Sequence, residues 1–246
     1  MASDGSAPTA DPATKRKLPL WLETTVLLAL AIVLAIVVKT FFVQAFYIPS
    51  GSMKPGLRVN DRIMVQKVSY WGDRSPQRGD IVVFEDPGDW LDGEPTGPTN
   101  NLTKLLARIG LFPTGGHLVK RVIGVGGDTV HCCDDEGRLE INGAAVDESD
   151  FIAPQGECDG PMPSSCSREW TVEVPDGDLF VMGDNRSASA DSSARICGPR
   201  QKNCDDSDAF VPEDLVVGKV FALVWPLNHF RFIGTPDAFD DVPDAS

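Results

Sequence analysis

The stretch Leu20-Trp-Leu-Glu-Thr-Thr-Val-Leu-Leu-Ala-Leu-Ala-Ile-Val-Leu-Ala-Ile-Val-Val-Lys-Thr-Phe-Phe-Val43 decides the architecture. Its centre, Thr24 to Val38, carries no charge, and Glu23 and Lys39 stand near the ends, where they can reach headgroups. At about 1.5 Å per residue, roughly 20 helical residues cross a hydrocarbon core of about 30 Å. The run lacks the polar face that a helix resting on a soluble domain would carry. A cleaved secretory signal shares the basic start and apolar middle, but no small-x-small site follows promptly; the run ends in Lys39-Thr-Phe-Phe42. The sequence therefore predicts an uncleaved transmembrane helix over 20–43. Lys15-Arg-Lys17 places its N-terminal side in the cytoplasm and everything after Phe46 outside. No second stretch qualifies, since Leu215–Ile233 is interrupted by Lys219, Pro226, His229 and Arg231.

Working outward, residues 1–19 are small, polar and proline-bearing and read as a disordered cytoplasmic tail. On the other side, residues 44–235 read as one exported domain, followed by an acidic tail at 236–246. Asp61–Val68, Gly79–Phe84, Leu118–Gly124, Asp128–His131 and Val216–Val224 are short, rich in β-branched residues and punctuated by Gly, Pro and Asp, which is how strands look. Arg138–Val146 reads as a hairpin turning at Asn142-Gly143. A Gly/Pro-rich insertion at 85–117 holds the one helix candidate, Asn101–Leu111. The expected fold is mainly β behind one transmembrane helix.

The formal charge is -14, and the whole surplus of acid lies beyond residue 25. Such a surface excludes nucleic acid as a partner; the apolar run makes a lipid bilayer the expected one. Six cysteines, Cys132, Cys133, Cys158, Cys166, Cys197 and Cys204, all fall in the region 132–204 on the exported side, where disulfides persist. Short loops Cys158–Cys166 and Cys197–Cys204 are the favoured pairings. They leave the adjacent Cys132 and Cys133 as a geometrically awkward remainder, so the pairing stays open. No Cys-x-x-Cys or His ligand spacing indicates a metal.

Beyond the apolar run comes Phe46-Tyr-Ile-Pro-Ser-Gly-Ser-Met-Lys-Pro55. Pro-Ser-Gly-Ser forms turns by composition, and a turn at a strand end is also where a serine becomes accessible to substrate. A serine nucleophile needs a base. His117, His131 and His229 have no recognisable catalytic context, and Lys54 is too tightly tethered beside Ser52. Lys120 sits in Leu118-Val-Lys-Arg-Val-Ile-Gly-Val-Gly-Gly-Asp128, where alternation puts it on one face with Leu118 and Val122, opposite Val119 and Arg121. Apolar surroundings would lower its amine pKa from about 10.4. The bland alternative is a solvated edge-strand lysine. Gly124–Gly127 lacks the spacing and the following helix of a phosphate loop.

Four blocks in order resemble those of the bacterial type I signal peptidases, membrane-bound Ser–Lys endopeptidases. Pro49-Ser-Gly-Ser-Met-Lys-Pro55 is similar to the nucleophile box, and Arg78-Gly-Asp-Ile-Val-Val-Phe84 to the strand that follows it. Lys120-Arg-Val-Ile-Gly-Val-Gly-Gly-Asp128 is similar to the general-base box, and Gly183-Asp-Asn-Arg-Ser-Ala-Ser-Ala-Asp-Ser192 to the last box. The resemblance implies a β-rich catalytic domain of the signal peptidase type that cleaves secretory preproteins without metal or cofactor. It implies Ser52 as nucleophile, Lys120 as base, Ser50 as an oxyanion donor with the Ser52 N–H, and Ser189 as the group that orients the lysine. Asp191 would brace the neighbourhood, Asp184 and Arg186 would be structural, and Phe46, Ile48, Met53 and Val119 would line the substrate pockets. Three positions depart from the family's pattern. Gly56 replaces a threonine, Asn60 a glycine, and Ser193 the arginine that would pair with Asp191, for which Arg195 is the nearby substitute.

Other exported serine acyl-transfer enzymes need Ser-x-x-Lys, a spacing that Ser50, Ser52 and Lys54 do not satisfy. A Ser–Lys self-cleaving repressor would carry a DNA-binding domain in place of the apolar anchor. Another Ser–Lys peptidase, and an anchored module that binds without catalysis, remain as alternatives.

Overall fold

The computed structural model describes residues 19–72, 74–88, 90–91, 116–153, 169–197 and 206–245. The chain divides into a unit ending at Val37 and a unit beginning at Val38. In the first, α1 (Leu20–Phe41) is a continuous helix. Its stretch Leu20–Val38 is long and apolar enough to cross a membrane, and none of it is buried in protein.

The second unit is built from two antiparallel sheets. The larger contains β1 (Val43–Tyr47), β2 (Arg62–Gln66), β3 (Ile81–Glu85), β4 (His117–Val125), β9 (Asp178–Met182), β10 (Val211–Pro212), β11 (Val216–Trp225) and β12 (Arg231–Phe232). Its order is β1-β2-β11-β3-β4-β9-β10, with β12 on β11. The smaller sheet runs β7-β6-β5-β8, from β5 (Thr129–Cys132), β6 (Leu139–Ile141), β7 (Ala144–Ala145) and β8 (Trp170–Glu173). The mainly β expectation holds. The β-branched runs at 61–68, 79–84, 118–124, 128–131 and 216–224 overlap β2, β3, β4, β5 and β11. The expected hairpin is present as β6 and β7, and both Asn142 (φ 52°) and Gly143 (φ 79°) take the left-handed conformation that such a two-residue turn requires.

β4 is buried on both faces. Leu118 and Val122 join Val82, Phe84, Leu179, Val181 and Val211 in one apolar cluster, while Val119 packs against Ile63, Ile81, Val83 and Val220 in another. A third cluster fills the smaller sheet, from Ile123 and Val130 to Phe180 and Phe210. The acidic stretch 236–246 does not stand apart from the domain. Phe239 and Val242 are buried in that third cluster, and Asn142 Nδ2 donates to the Pro243 carbonyl at 2.8 Å.

The second block of the sequence is a hub. Arg78 forms a two-pronged pair with buried Asp128 at 2.7 and 2.5 Å. Asp80 accepts from Tyr70 Oη at 2.9 Å, from Thr235 Oγ1 at 2.9 Å and from Lys219. Gly79 (φ 84°) lies against Thr235 and Phe239 so closely that a Cβ would collide with both. These contacts tie β3, β4, β11 and the C-terminal stretch together.

Cys132 and Cys133 are bonded to each other at the end of β5. The adjacent pair is thus bridged. Cys197 is also disulfide-bonded, to a partner outside the described residues. Cys158, Cys166 and Cys204 lie outside those residues, as do the helix expected at 101–111, most of the insertion at 85–117 and the tail before residue 19.

Candidate active site

The turn after β1 carries Ser50 and Ser52. Its entry is fixed from below: Ile48 and Asn60 exchange main-chain hydrogen bonds with each other's neighbourhood, Ile48 N to Asp61 O at 2.9 Å and Asn60 N to Ile48 O at 3.0 Å. Asn60 has φ 75°, a conformation that glycine adopts freely and asparagine tolerates. That explains how asparagine serves where glycine is usual. Tyr47 Oη donates to its side chain. Ser52 is buried to 8% exposure, Ser50 is exposed, and their hydroxyl oxygens are 3.3 Å apart.

The segment after β9 closes over this turn. Asn185 N donates to Ser52 O at 2.9 Å and Asn185 Nδ2 to Gly51 O at 3.1 Å. Gly183 is the closest approach. A Cβ on it would lie 2.5 Å from Ser52 O and 2.8 Å from Ser189 Cβ, and would also strike Ser189 Oγ. Only a residue without a side chain can lie against both serines. Ser189 Oγ is buried and has no hydrogen-bond partner among the described residues, a costly state for a hydroxyl unless another group comes to it.

Lys120 stands on β4, opposite Val82 on β3. The register that pairs Arg121 with Met182 of β9 makes Lys120 and Gly183 the next residues along their strands. Lys120 is only 4% exposed and has no ion-pair partner among the described residues. Burial holds its amine pKa below the ordinary lysine value, although the Asp191 and Asp184 carboxylates pull in the other direction. It is not a solvated edge lysine.

The remaining polar residues make a fully buried frame. Asp184 takes a two-pronged pair from Arg121 at 2.8 and 2.7 Å. Arg121 also donates to Gly79 O at 2.8 Å, and its guanidinium lies 4.2 Å from the centre of the Phe151 ring. Arg186 donates to Gly183 O at 2.9 Å and pairs with Glu148 at 2.9 and 2.5 Å. Asp191 accepts the Gly183 N–H at 2.8 Å and caps the short helix Ser192–Arg195. Among the described residues no arginine is seen to pair with it. Ser193 donates to it instead, and Arg195 lies over the Trp90 ring at 4.8 Å.

Phe46, Ile48, Met53 and Val119 come together in one apolar cluster. Ile48 and Met53 are sealed at 2% and 1% exposure, so Phe46 and Val119 form its accessible margin. The histidines have other partners: His117 packs against Phe46 with tilted rings 5.3 Å apart, His131 bonds Thr171 and His229 faces Asp61. Sequence reading had no signal for Glu148 or Phe151, which lie outside every block, and treated Arg121, Gly183 and Asn185 only as members of their blocks.

The family model for signal peptidase, peptidase S26, matches residues 21–225. The chain belongs to the signal peptidase S26 family. It is 39% identical over 225 residues to signal peptidase I of Mycobacterium tuberculosis, covering 86% of this chain and 74% of that protein. It is 34% identical over 226 residues to the probable signal peptidase I-2 of Synechocystis sp., covering 92% and 83%. A crystal structure of a signal peptidase I from Enterococcus faecalis V583 covers 60% of this chain and 98% of its own, at 25% identity and a TM-score of 0.32. The signal peptidase match takes in the apolar helix and all four blocks.

Proposed function

We propose that this chain is a membrane-anchored serine endopeptidase that removes N-terminal signal peptides from secretory preproteins, with Ser52 as nucleophile and Lys120 as general base. The observation that carries the reading is the close approach of Gly183 to both the Ser52 carbonyl and Ser189, at the strand position next to a buried lysine whose pKa is lowered.

In this reading the segment before the scissile bond lies extended at the site, pairing as an added strand, and sets small side chains against the margin of Phe46 and Val119. Ser52 Oγ attacks the carbonyl carbon while the neutral Lys120 amine takes its proton. The oxyanion forms against the Ser52 N–H and the Ser50 hydroxyl, which stands 3.3 Å from Ser52 Oγ. The unsatisfied Ser189 hydroxyl is suited to hold the Lys120 amine. Protonated Lys120 then gives its proton to the leaving amine, and water, deprotonated by the same lysine, hydrolyses the acyl-enzyme. Asp191, Asp184 and Arg186 hold the frame.

The helix over Leu20–Phe41 serves as the anchor, with residues before it in the cytoplasm and the β-rich unit outside. The test is incubation of the purified full chain with a signal-bearing preprotein and sequencing of the new N-terminus. One cut, after small residues at the first and third positions before it, is expected; an intact preprotein would overturn the assignment. Protease added to intact spheroplasts should remove the β-rich unit and spare an N-terminal tag.

A further inference from the structure

The segment Glu148–Ala153 belongs to none of the four blocks, yet it touches three of them. It follows β7 of the smaller sheet. Glu148 grips Arg186 of the last block with both carboxylate oxygens. Phe151 lies under the Arg121 guanidinium of the base block. Ile152 forms an isolated antiparallel bridge with Pro55 at the end of the nucleophile block. Ala153 N donates to Asp184 O at 2.9 Å. The segment is itself held as a turn, because Phe151 N and Ile152 N both donate to Glu148 O at 3.1 Å.

We propose that Glu148 is a positioning residue for the cleavage reaction: by clamping Arg186 it fixes the Gly183 carbonyl, and through Gly183 the placement of Ser189 and of the Ser52 main chain that crowd it. This rests on the functional reading above. The side chains of Arg186 and Glu148 are buried to 0% and 3% exposure, so water does not substitute for either partner. The Gly183 peptide is held from both ends, its N–H by Asp191 and its carbonyl by Arg186. Of these two anchors, the Arg186 side has its only carboxylate partner in Glu148 among the described residues. A shift of about 1 Å in a reacting group costs up to about 100-fold in rate, and Gly183 has no room to absorb one.

Glu148 also sets charge. The Asp184 and Asp191 carboxylates favour a charged Lys120, while Arg121 stands beside it on its own strand, uncharged Val82 opposite on β3, and Arg186 draws on the same two carboxylates. Glu148 offsets Arg186. Without it, Arg186 competes undiminished for Asp184 and Asp191 and repels a charged Lys120.

The test compares parent, Glu148→Gln, Glu148→Asp and the double variant Glu148→Leu/Arg186→Met, as full chains cleaving a preprotein across a pH series. Glu148→Gln is expected to lower kcat about 10-fold or more with KM little changed. Its acidic limb should move to lower pH by about half a unit or more. Glu148→Asp keeps the charge, so its limb should stay with the parent and its kcat should recover in part. The double variant removes both charges, so the fold and the parent limb should return while kcat stays low, because Gly183 O has lost its donor. A stable double variant with the parent's kcat would overturn the proposal. So would a Glu148→Gln enzyme with an unmoved limb whose lost activity matches its lost folded fraction. An inactive parent would fell the functional reading and this inference with it; an active parent isolates the failure to Glu148.

Discussion

Ser193 donates to Asp191 twice at one oxygen, through its hydroxyl at 2.6 Å and its main-chain N–H at 3.2 Å. A short hydroxyl bond to a carboxylate here takes the place of the ion pair that the family's usual arginine would make. Asp191 in turn holds the Gly183 N–H, so the substitution bears on the site. Ser193→Ala should lower stability by about 1.5–3 kcal/mol, the range for a hydrogen bond to a charged group, with cleavage reduced but present. Thermal melts of the two proteins check this; coincident melts would show that the bond contributes nothing.

Gly183→Ala should be far more damaging than its one methyl suggests. The added carbon must displace Ser52 O or Ser189 Oγ, and neither is a flexible chain end. The expected result is a loss of about 100-fold or more in kcat, with circular dichroism still reporting the β scaffold. A variant with parent kinetics would mean that the site does not need Gly183 bare against both serines.

Asp128 gives a stability signature in acid. Burial alone would raise its pKa, but the Arg78 pair, the Val125 N–H and the Asn142 amide outweigh it, and the carboxyl is held below its ordinary value. A depressed folded pKa stabilises fully above the unfolded value of about 3.9 and is lost as pH falls through the folded value. Asp128→Asn should therefore be less stable at pH 7 and should lose less stability than the parent between about pH 4 and pH 2. Parallel denaturation curves over that range would contradict the assignment.

Lys120 predicts the opposite kind of limb, in rate rather than stability. Catalysis needs its neutral amine, and burial lowers its pKa. Cleavage should rise with pH through a value well below about 10.4. Replacing His117, His131 and His229 should leave that limb in place. Its disappearance with any one histidine would replace the Ser–Lys scheme by an imidazole base.

The apolar helix and strands β2, β3, β4 and β11 of the large sheet were legible because their signals are local. An unbroken apolar run and β-branched stretches between Gly, Pro and Asp need no partner to be recognised. Strand β9 escaped for lack of that pattern: Asp178-Leu-Phe-Val-Met182 is buried along most of its length and does not alternate. The order of blocks pointed to Ser52, Lys120 and Ser189, yet the frame around them depends on contacts remote in sequence. Arg121 with Asp184 and Arg186 with Glu148 join positions 63 and 38 residues apart. Asn60 was visible as a departure but not as a tolerable one until its backbone conformation was known. Ser193 was read as a missing ion pair, because a hydroxyl bond to Asp191 leaves no mark in composition.

The most direct test of the Ser–Lys assignment is the rate of preprotein cleavage by purified Ser52→Ala and Lys120→Ala chains beside the parent, each shown to be folded and membrane-inserted. Both variants are expected to be inactive, with Ser50→Ala and Ser189→Ala only reduced, by about 10²–10³ for a lost oxyanion donor. Cleavage by either Ser52→Ala or Lys120→Ala at more than about a few per cent of the parent rate would contradict the account, since the residual catalysis left without a nucleophile or its base lies far below that.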